Sequence, residues 1–168
     1  MTLKLVLTRH AKSSWSDPTL DDFDRPLNGR GRRSATAIGQ WIAEAGHVPA
    51  EVVVSGARRT VDTWSAIARE LPDKAPMRSD PALYHASAPS ILAVLRGLSA
   101  PSAMIIGHNP GIADFAERIV NAPADHPRYA DFPTCATAVI EFGKSHWRDV
   151  DWGDGTLVAF VLPRELLE

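Results

Sequence analysis

The chain of 168 residues is long enough to bury one sizeable hydrophobic core, and we expect a single domain over residues 1–168. Its formal net charge of −2 excludes the strongly basic surface typical of nucleic-acid-binding proteins and gives no attraction to an anionic membrane. The single cysteine, Cys135, excludes an intrachain disulfide and a cysteine-only metal site, and it fits a reducing compartment.

The amino terminus carries a short apolar run over residues 3–7, followed almost at once by Arg9 and His10. This run is too short and too quickly charged for a secretory signal, and no other stretch approaches the length of a membrane span. We therefore expect a cytoplasmic protein that binds neither membrane nor nucleic acid.

The first third of the chain alternates aliphatic runs with an amphipathic segment. Residues 3–7 and 51–55 are short aliphatic runs of the kind found in buried strands. Between them, the polar residues 12–28 predict a loop. Residues 31–45 predict a helix with one apolar face, and Gly46 is well placed to end it.

The rest of the chain continues this alternation, which predicts an α/β fold: a three-layer sandwich with a mostly parallel central sheet and helices on both faces. The last two strands have no clear helix between them, so that edge of the sheet is expected to be antiparallel. The predicted elements are a helix from 59 to Pro72, a weak edge strand within 77–83, helices at 89–98 and 112–120, strands at 103–106, 137–142 and 156–162, and a surface loop at 123–133.

Chemically reactive residues follow three of the predicted strands. Arg9 and His10 follow the first, Ser55 and Arg59 the second, and His108 the third. In open α/β sheets, ligands bind at the carboxyl ends of the strands. Each feature alone has an ordinary structural explanation, but three strand ends that together carry two arginines, two histidines and two helix starts predict a pocket for an anion.

These residue types suit phosphoryl transfer. The transition state spreads negative charge over three oxygens, and the guanidinium groups of Arg9 and Arg59 match such oxygens bidentately. Backbone N–H groups at the turn formed by His108 and Asn109 can bind a third oxygen. A histidine with a pKa of about 6.5 is a competent nucleophile near neutral pH without a base to activate it. His10 is therefore a candidate for a covalent phospho-enzyme.

The same motifs resemble those of the histidine phosphatase superfamily, also called phosphoglycerate-mutase-like. Residues 8–11, Thr-Arg-His-Ala, are similar to its first signature, which usually has Gly in the fourth place. The spacing of Ser55, Arg59 and Thr63 is similar to its second element and selects Arg59 over the neighbouring Arg58. Residues 107–109 resemble its second-histidine motif. The resemblance spans nearly the whole chain and is greatest to SixA-type phosphohistidine phosphatases.

That resemblance implies a role for each site residue. His10 would be the nucleophile, and Arg9, Arg59 and His108 would hold the phosphoryl oxygens, with His108 cationic when phosphate is bound. Asn109 would contribute mainly through its backbone. No metal ion or cofactor is implied, and the catalytic metal site is expected to be absent. Arg25 is either a further phosphate contact or a surface charge held in place by Pro26.

Residues 83–88 lack the carboxylate that many relatives use to protonate the leaving oxygen. Loss of a general acid typically slows departure of an alcohol by about 10²–10⁴-fold, whereas an imidazole can depart already protonated. The missing acid therefore favours phosphohistidine over a phosphate monoester. His85 is either a substitute acid or an exposed loop histidine. The loop aspartates at 17, 21, 22 and 24 favour a solvated turn over a metal loop.

The leading hypothesis is a phosphohistidine phosphatase that acts on a phosphorylated protein, such as a histidine phosphotransfer domain. The alternatives are a small-molecule phosphomonoesterase of the same superfamily and a non-catalytic module that binds phosphoproteins. A phosphoglycerate mutase is disfavoured by the short chain and the missing acid. An open pocket would suit a protein substrate and a closed one a small molecule, and the sequence leaves this open because it depends on how residues 12–28 and 123–133 fold.

Overall fold

The computed structural model describes residues 2–167 and contains a six-stranded sheet with helices on both faces. The sheet order is β3-β2-β4-β1-β5-β6. Its strands are β1 (Leu3–Arg9), β2 (Glu51–Val54), β3 (Met77–Ser79), β4 (Ser102–Gly107), β5 (Thr137–Phe142) and β6 (Gly155–Val161).

Strands β1 to β4 are parallel to one another, and β5 and β6 form an antiparallel edge. This confirms the predicted α/β class and the predicted antiparallel edge. Strand β4 lies between β1 and β2, so the three strands whose ends carry the reactive residues are direct neighbours. The carboxyl ends of these parallel strands meet at one edge of the sheet, which brings the predicted site residues together.

The helices cover the two faces of the sheet, and a separate hydrophobic cluster lies beneath each group. On one face α1 and α2 bury Ile38 and Ile67, and on the other α3 and α4 bury Leu95 and Phe115. Within residues 2–167, no helix is both long and apolar enough to cross a membrane. The helices are α1 (Gly29–Ala45), α2 (Arg58–Ala68), α3 (Ala88–Arg96), α4 (Gly111–Ile119) and the short α5 (Pro163–Leu167).

Helix α1 begins and ends at the signals that its sequence carries. The Asn28 side chain accepts a hydrogen bond from the backbone N–H of Gly31 over 2.7 Å, and Gly46 ends the helix with a φ of 77°. Gly31 also allows a close approach, because a Cβ at this position would collide with the carbonyl of Lys12. The helix can therefore pack directly against the loop that follows His10.

Three details differ from the prediction. Helix α2 ends at Ala68 rather than near Pro72, because the next residues form tighter hydrogen bonds such as Leu71 N–H to the Ala68 carbonyl. The segment 123–133 is not only a surface loop, since Tyr129 and Phe132 are buried in the core. Helix α5 was not predicted from the sequence.

Candidate active site

The backbone at the end of β1 is fixed by its neighbours on both sides. The His10 N–H donates to the Gly107 carbonyl over 3.0 Å, and the Cys135 N–H donates to the His10 carbonyl over 3.0 Å. His10 thus lies between the end of β4 and the start of β5. Its imidazole ring is 5.3 Å from that of His108, centroid to centroid.

His10 is a neutral imidazole whose Nε2 atom has no hydrogen-bond partner among residues 2–167. Its Nδ1–H donates to the Ala11 carbonyl over 2.7 Å, and a carbonyl can only accept, so the proton of the neutral ring lies on Nδ1. Burial lowers the pKa of His10 to about 4; the hydrogen bond to Ala11 opposes this, and the charges of Arg59 and Arg9 reinforce it. Near neutral pH the Nε2 lone pair is therefore available to attack phosphorus.

Arg59 lies in the pocket and is only 5% exposed. It donates to the Asp22 carbonyl over 2.7 Å, to the Asp22 carboxylate over 3.0 Å and to His108 Nδ1 over 3.3 Å. The neighbouring Arg58 is exposed and pairs with Asp62 at 3.6 Å. The structure thus places Arg59 rather than Arg58 in the pocket, as the motif spacing predicted.

Two guanidinium N–H donors in the pocket have no hydrogen-bond partner. The Nε atoms of Arg9 and Arg59 are both buried, and neither has an acceptor among residues 2–167. A buried unsatisfied donor typically costs about 1–3 kcal/mol, so each such group calls for an explanation. Burial and the charge of Arg59 also lower the pKa of Arg9. An oxyanion bound between the two arginines would satisfy both donors and relieve their repulsion.

His108 is held as a neutral ring by Arg59 and Ser55. Its Nδ1 accepts from Arg59, so its Nε2–H donates to the Ser55 hydroxyl over 2.8 Å. Burial is the main cause that lowers the pKa of His108 to about 3, and the neighbouring His10 and the charge of Arg59 contribute to that value. The cationic His108 that the resemblance implies belongs to a phosphate-bound state, in which the anion would offset these charges.

The hydroxyls of the second motif connect the strand ends. The Thr63 hydroxyl accepts from the Ala11 N–H over 2.9 Å and donates to the Arg59 carbonyl over 2.7 Å. The Ser55 hydroxyl accepts the hydrogen bond from the His108 side chain. The spacing of this motif is thus explained by its geometry. Ser55 binds His108, Thr63 holds the backbone N–H of Ala11 directly after His10, and Arg59 from the same motif binds His108.

One of the two sequence interpretations placed Arg25 at the surface, but the structure buries it. Its side chain is buried, donates to the Ser13 hydroxyl over 2.6 Å and stacks on the indole of Trp15 with 3.5 Å between the guanidinium carbon and the ring centroid. Its charge contributes to the lowered pKa of His10, which places it near the pocket. A phosphate contact from Arg25 remains a prediction.

Asp22 is a site residue that the sequence did not reveal. Its carboxylate accepts from Arg25 at 3.0 Å, from Arg59 at 3.0 Å and from the Tyr84 hydroxyl at 2.7 Å. Burial alone would raise the pKa of Asp22, but the hydrogen bonds from Tyr84, Arg25 and Arg59 hold it well below its usual range. Asp22 is therefore ionised near neutral pH and cannot serve as a general acid.

Asp22 is exposed, as the predicted solvated turn requires, but its carboxylate also binds side chains of the site. Its position three residues before Arg25 was a weak local signal of a salt bridge, but Arg59 and Tyr84 are distant in sequence. Within the described part of the chain, no three His, Cys, Asp or Glu side chains are grouped as a metal site requires.

The side chain of Asn109 forms hydrogen bonds that connect the start of α4 to residues 131 and 132. The amide donates to the carbonyls of Asp131 and Phe132 over 2.9 and 3.1 Å, and its oxygen accepts from the Ala113 N–H. Only its backbone is left for the ligand contact that the resemblance implies. His85 lies exposed at the rim, with its ring centroid 3.9 Å from that of Tyr84.

Three non-glycine residues around the pocket adopt a positive φ: His85 at 56°, Phe132 at 45° and Cys135 at 61°. Such backbones cost about 1–3 kcal/mol each and persist where the surroundings impose them. Phe132 accepts a hydrogen bond from Arg9 over 3.3 Å, and Cys135 donates to His10. The strained backbone is thus found where it holds two of the predicted site residues.

The lowered pKa of His10 predicts a pH-dependent stability. The folded pKa is about 4 and the unfolded value about 6.5, so between these values the unfolded chain binds the extra proton and acid favours unfolding. We expect this one group to lower the free energy of unfolding by about 1.5 kcal/mol between pH 6.5 and 5. Urea titrations of the native chain and His10→Asn at several pH values test this; parallel pH profiles for the two proteins would contradict it.

Comparisons with known proteins agree with this geometry. The family model of the histidine phosphatase superfamily (branch 1) matches residues 5–91. An uncharacterised protein of Mycobacterium tuberculosis is 31% identical over 165 residues, covering 93% of this chain and 99% of the relative. An uncharacterised chloroplastic protein of Arabidopsis thaliana is 27% identical over 157 residues, covering 87% of this chain and 69% of the relative.

Solved structures show the same fold. A protein of Nakamurella multipartitia, assigned as a phosphohistidine phosphatase SixA, is 29% identical with a TM-score of 0.79, and 97% of each chain is covered. A protein of Agrobacterium tumefaciens with the same assignment is 25% identical with a TM-score of 0.78, covering 96% of this chain and 98% of that one. The family model spans more than half of the chain and includes both the first and second motifs. The chain belongs to the histidine phosphatase superfamily.

Proposed function

We propose that the protein is a phosphohistidine phosphatase that removes phosphoryl groups from a phosphorylated protein, such as a histidine phosphotransfer domain, through a phospho-His10 intermediate. One observation carries the proposal: His10 is neutral with its Nε2 free, beside two arginines whose buried Nε–H donors have no partner within residues 2–167. A pocket that bound phosphate without chemistry would need the arginines but not the nucleophile.

The reaction has two displacements at phosphorus. The Nε2 lone pair of His10 attacks a phosphohistidine whose other ring nitrogen has taken a proton from solvent. The P–N bond to the substrate imidazole breaks, that electron pair returns to its nitrogen, and the imidazole leaves as a neutral ring. Water then attacks the phosphorus of phospho-His10. The P–Nε2 bond breaks, its electron pair returns to His10, and inorganic phosphate is released.

The surrounding cations would stabilise the charge that spreads over the phosphoryl oxygens. Arg9 and Arg59 are in place to donate to them, and His108 lies beside Arg59. Asp22 acts as a positioning residue, because its carboxylate holds Arg59 and Arg25 at the pocket through salt bridges of 3.0 Å each. The side chains of Arg59 and Arg25 are therefore ordered before the substrate binds, which lowers the entropic cost of reaching the transition state.

The chemistry of the leaving group favours phosphohistidine as the substrate. Asp22 is the carboxylate that binds Arg59 in this site, and its lowered pKa keeps it ionised. Without a carboxylic acid to protonate it, an alkoxide leaves slowly, whereas imidazole leaves well. The ionised state of Asp22 and the lack of a carboxylate in residues 83–88 thus both favour phosphohistidine over a phosphate monoester.

Exposed aromatic side chains on the loop between β1 and α1 support a protein substrate. Trp15 is 76% exposed and stacks on Arg25, and Phe23 is 42% exposed and packs edge-on against Tyr84 with 5.0 Å between ring centroids. Large aromatic side chains held rigidly at the surface are typical anchors of protein interfaces. A partner that presents phosphohistidine to the pocket would contact them.

The test compares three substrates with graded leaving groups: a phosphohistidine peptide, p-nitrophenyl phosphate and glycerol phosphate. We expect the highest kcat/KM for phosphohistidine, and glycerol phosphate should react about 10²–10⁴-fold more slowly than p-nitrophenyl phosphate, since only the alkoxide needs an acid. Rapid hydrolysis of glycerol phosphate would contradict the proposal and show that an acid acts in the site.

A second candidate, a small-molecule phosphomonoesterase, is favoured by a cavity of about 490 Å³ whose lining includes His85, Asn109 and Asp114. Its volume suits the leaving portion of a small phosphate ester. In this case His85 would supply the missing proton. Hydrolysis of glycerol phosphate by the native chain and by His85→Ala decides between the two candidate functions. If the protein is a phosphomonoesterase, His85→Ala should hydrolyse glycerol phosphate more slowly and leave hydrolysis of phosphohistidine unchanged.

A further inference from the structure

A cationic groove lies beside the candidate active site, on the side of the loop that follows His10. Its volume is about 240 Å³, and five of its eleven lining residues are lysine or arginine while none is an aspartate or glutamate. The cations are Lys12, Arg30, Arg33, Arg128 and Arg164. In a chain with a net charge of −2, this is a marked local concentration of positive charge.

The groove is continuous with the site through the backbone. Lys12 is two residues beyond His10, and its carbonyl accepts from the Asn28 N–H at the start of α1. On the other wall, Pro133 and Thr134 lie between Phe132, which binds Arg9, and Cys135, which binds His10. A chain that enters the groove is thus adjacent to the nucleophile.

Most of these cations are not neutralised within the molecule. Arg128 pairs with Asp131 at 3.0 Å, whereas Lys12, Arg30, Arg33 and Arg164 form no salt bridge with any carboxylate in the described range 2–167. All four are exposed and can therefore reach a partner.

The start of helix α1 adds to the positive potential. Its first turn contains no acidic residue and carries Arg30 and Arg32, with Arg33 directly after it, although the helix dipole disfavours cations at a helix amino terminus. A bound anion would offset this cost. The floor of the groove is apolar, with buried Leu162 and Pro163 and the half-exposed Leu167. Apolar floor and cationic rim together fit an acidic segment that also carries apolar side chains.

From these observations we infer that the groove docks an acidic segment of the protein substrate, next to the phosphohistidine that enters the site. The inference rests on the proposed function and specifies its partner: a phosphohistidine flanked by aspartate or glutamate side chains. The contacts are largely exposed ion pairs, so they act mainly on association and weaken with ionic strength.

The test uses two synthetic peptides of equal length, one with glutamates around the target histidine and one with glutamines at the same positions. Binding of the unphosphorylated peptides is followed by fluorescence anisotropy at about 0.02 M and 0.5 M salt, where the Debye length differs several-fold. We expect the glutamate peptide to bind at least about 10-fold more tightly at low salt, and the preference to shrink at high salt. The phosphorylated peptides should show the same preference in kcat/KM.

The variant Arg30→Glu/Arg33→Glu should abolish this preference while hydrolysing free phosphohistidine within about twofold of the native rate. The matched control, Lys74→Glu/Arg148→Glu, makes the same charge change at two exposed positions outside the groove and should retain the preference.

The outcomes separate the docking inference from the function. A native protein without preference, or a preference that survives in the groove variant, would overturn the docking inference even if phosphohistidine is hydrolysed. Failure to hydrolyse any phosphohistidine would overturn the proposed function, and peptide binding would still decide the docking. Tighter binding of a single-stranded oligonucleotide than of the glutamate peptide, lost in the groove variant, would overturn the assignment to an acidic protein.

Discussion

Replacement of His10 by alanine is expected to abolish phosphohistidine hydrolysis, lowering kcat by at least about 10⁴-fold, because His10 supplies the nitrogen that bonds to phosphorus. The cations of the pocket remain in this variant, so binding of inorganic phosphate or tungstate should persist. Brief incubation with a radiolabelled phosphohistidine peptide and acid-free gel analysis should show label on the native chain and none on His10→Ala.

The matched control is His146→Ala, since His146 is an exposed histidine that precedes the short 3-10 helix Trp147–Asp149. It should react and become labelled as the native chain does. Label retained on His10→Ala would assign the nucleophile to another residue. A native chain that binds phosphate but forms no phospho-enzyme and releases no phosphate would establish the third hypothesis, a module that only binds phosphoproteins.

Substitution of Arg59 by lysine is expected to lower kcat/KM by about 10²–10³-fold, the usual loss when one preorganised donor to the transition state is removed. A lysine keeps the charge but loses the fork that spans the Asp22 carbonyl, the Asp22 carboxylate and His108. It also lacks the Nε–H that is buried without a partner in the described structure. Steady-state kinetics with a phosphohistidine peptide measure the loss.

The adjacent arginine provides the control for this prediction. Arg58→Lys makes the same change one residue away, on an exposed side chain that pairs with Asp62 at 3.6 Å, and should leave kcat/KM within about twofold of the native value. Equal losses in the two variants would show that the motif spacing does not select the functional arginine. Thermal unfolding of both variants separates a catalytic loss from a loss of folded protein.

Much of the fold followed from local sequence. Aliphatic runs of four to seven residues specified five of the six strands, and Gly46 marked the end of helix α1, which begins at Gly29 rather than at the predicted residue 31. The end of α2 was harder to predict, because residues 69–71 continue the helical pattern while their hydrogen bonds tighten before Pro72. The buried Tyr129 and Phe132 were missed, since a segment with three prolines and few apolar residues has the composition of a surface loop.

Local sequence alone identified which strand ends carry the candidate chemistry. His10, Arg59 and His108 each follow a strand, and parallel strands present their carboxyl ends at one edge of a sheet, so their proximity is a consequence of topology alone. The resemblance to the family motif likewise selected Arg59 over Arg58, and the structure buries Arg59 and leaves Arg58 exposed.

How these groups are charged and connected depends on contacts made in the folded chain. The hydrogen bond to the Ala11 carbonyl fixes the proton of His10 on Nδ1, and burial lowers its pKa. Asp22 binds Arg25, Arg59 and Tyr84, which come from separate segments of the chain. The cationic groove likewise gathers residues from four parts of the chain, from Lys12 to Arg164. Burial, hydrogen-bond partners and local charge depend on contacts between residues that are distant in sequence, and such contacts leave no periodic pattern along the chain.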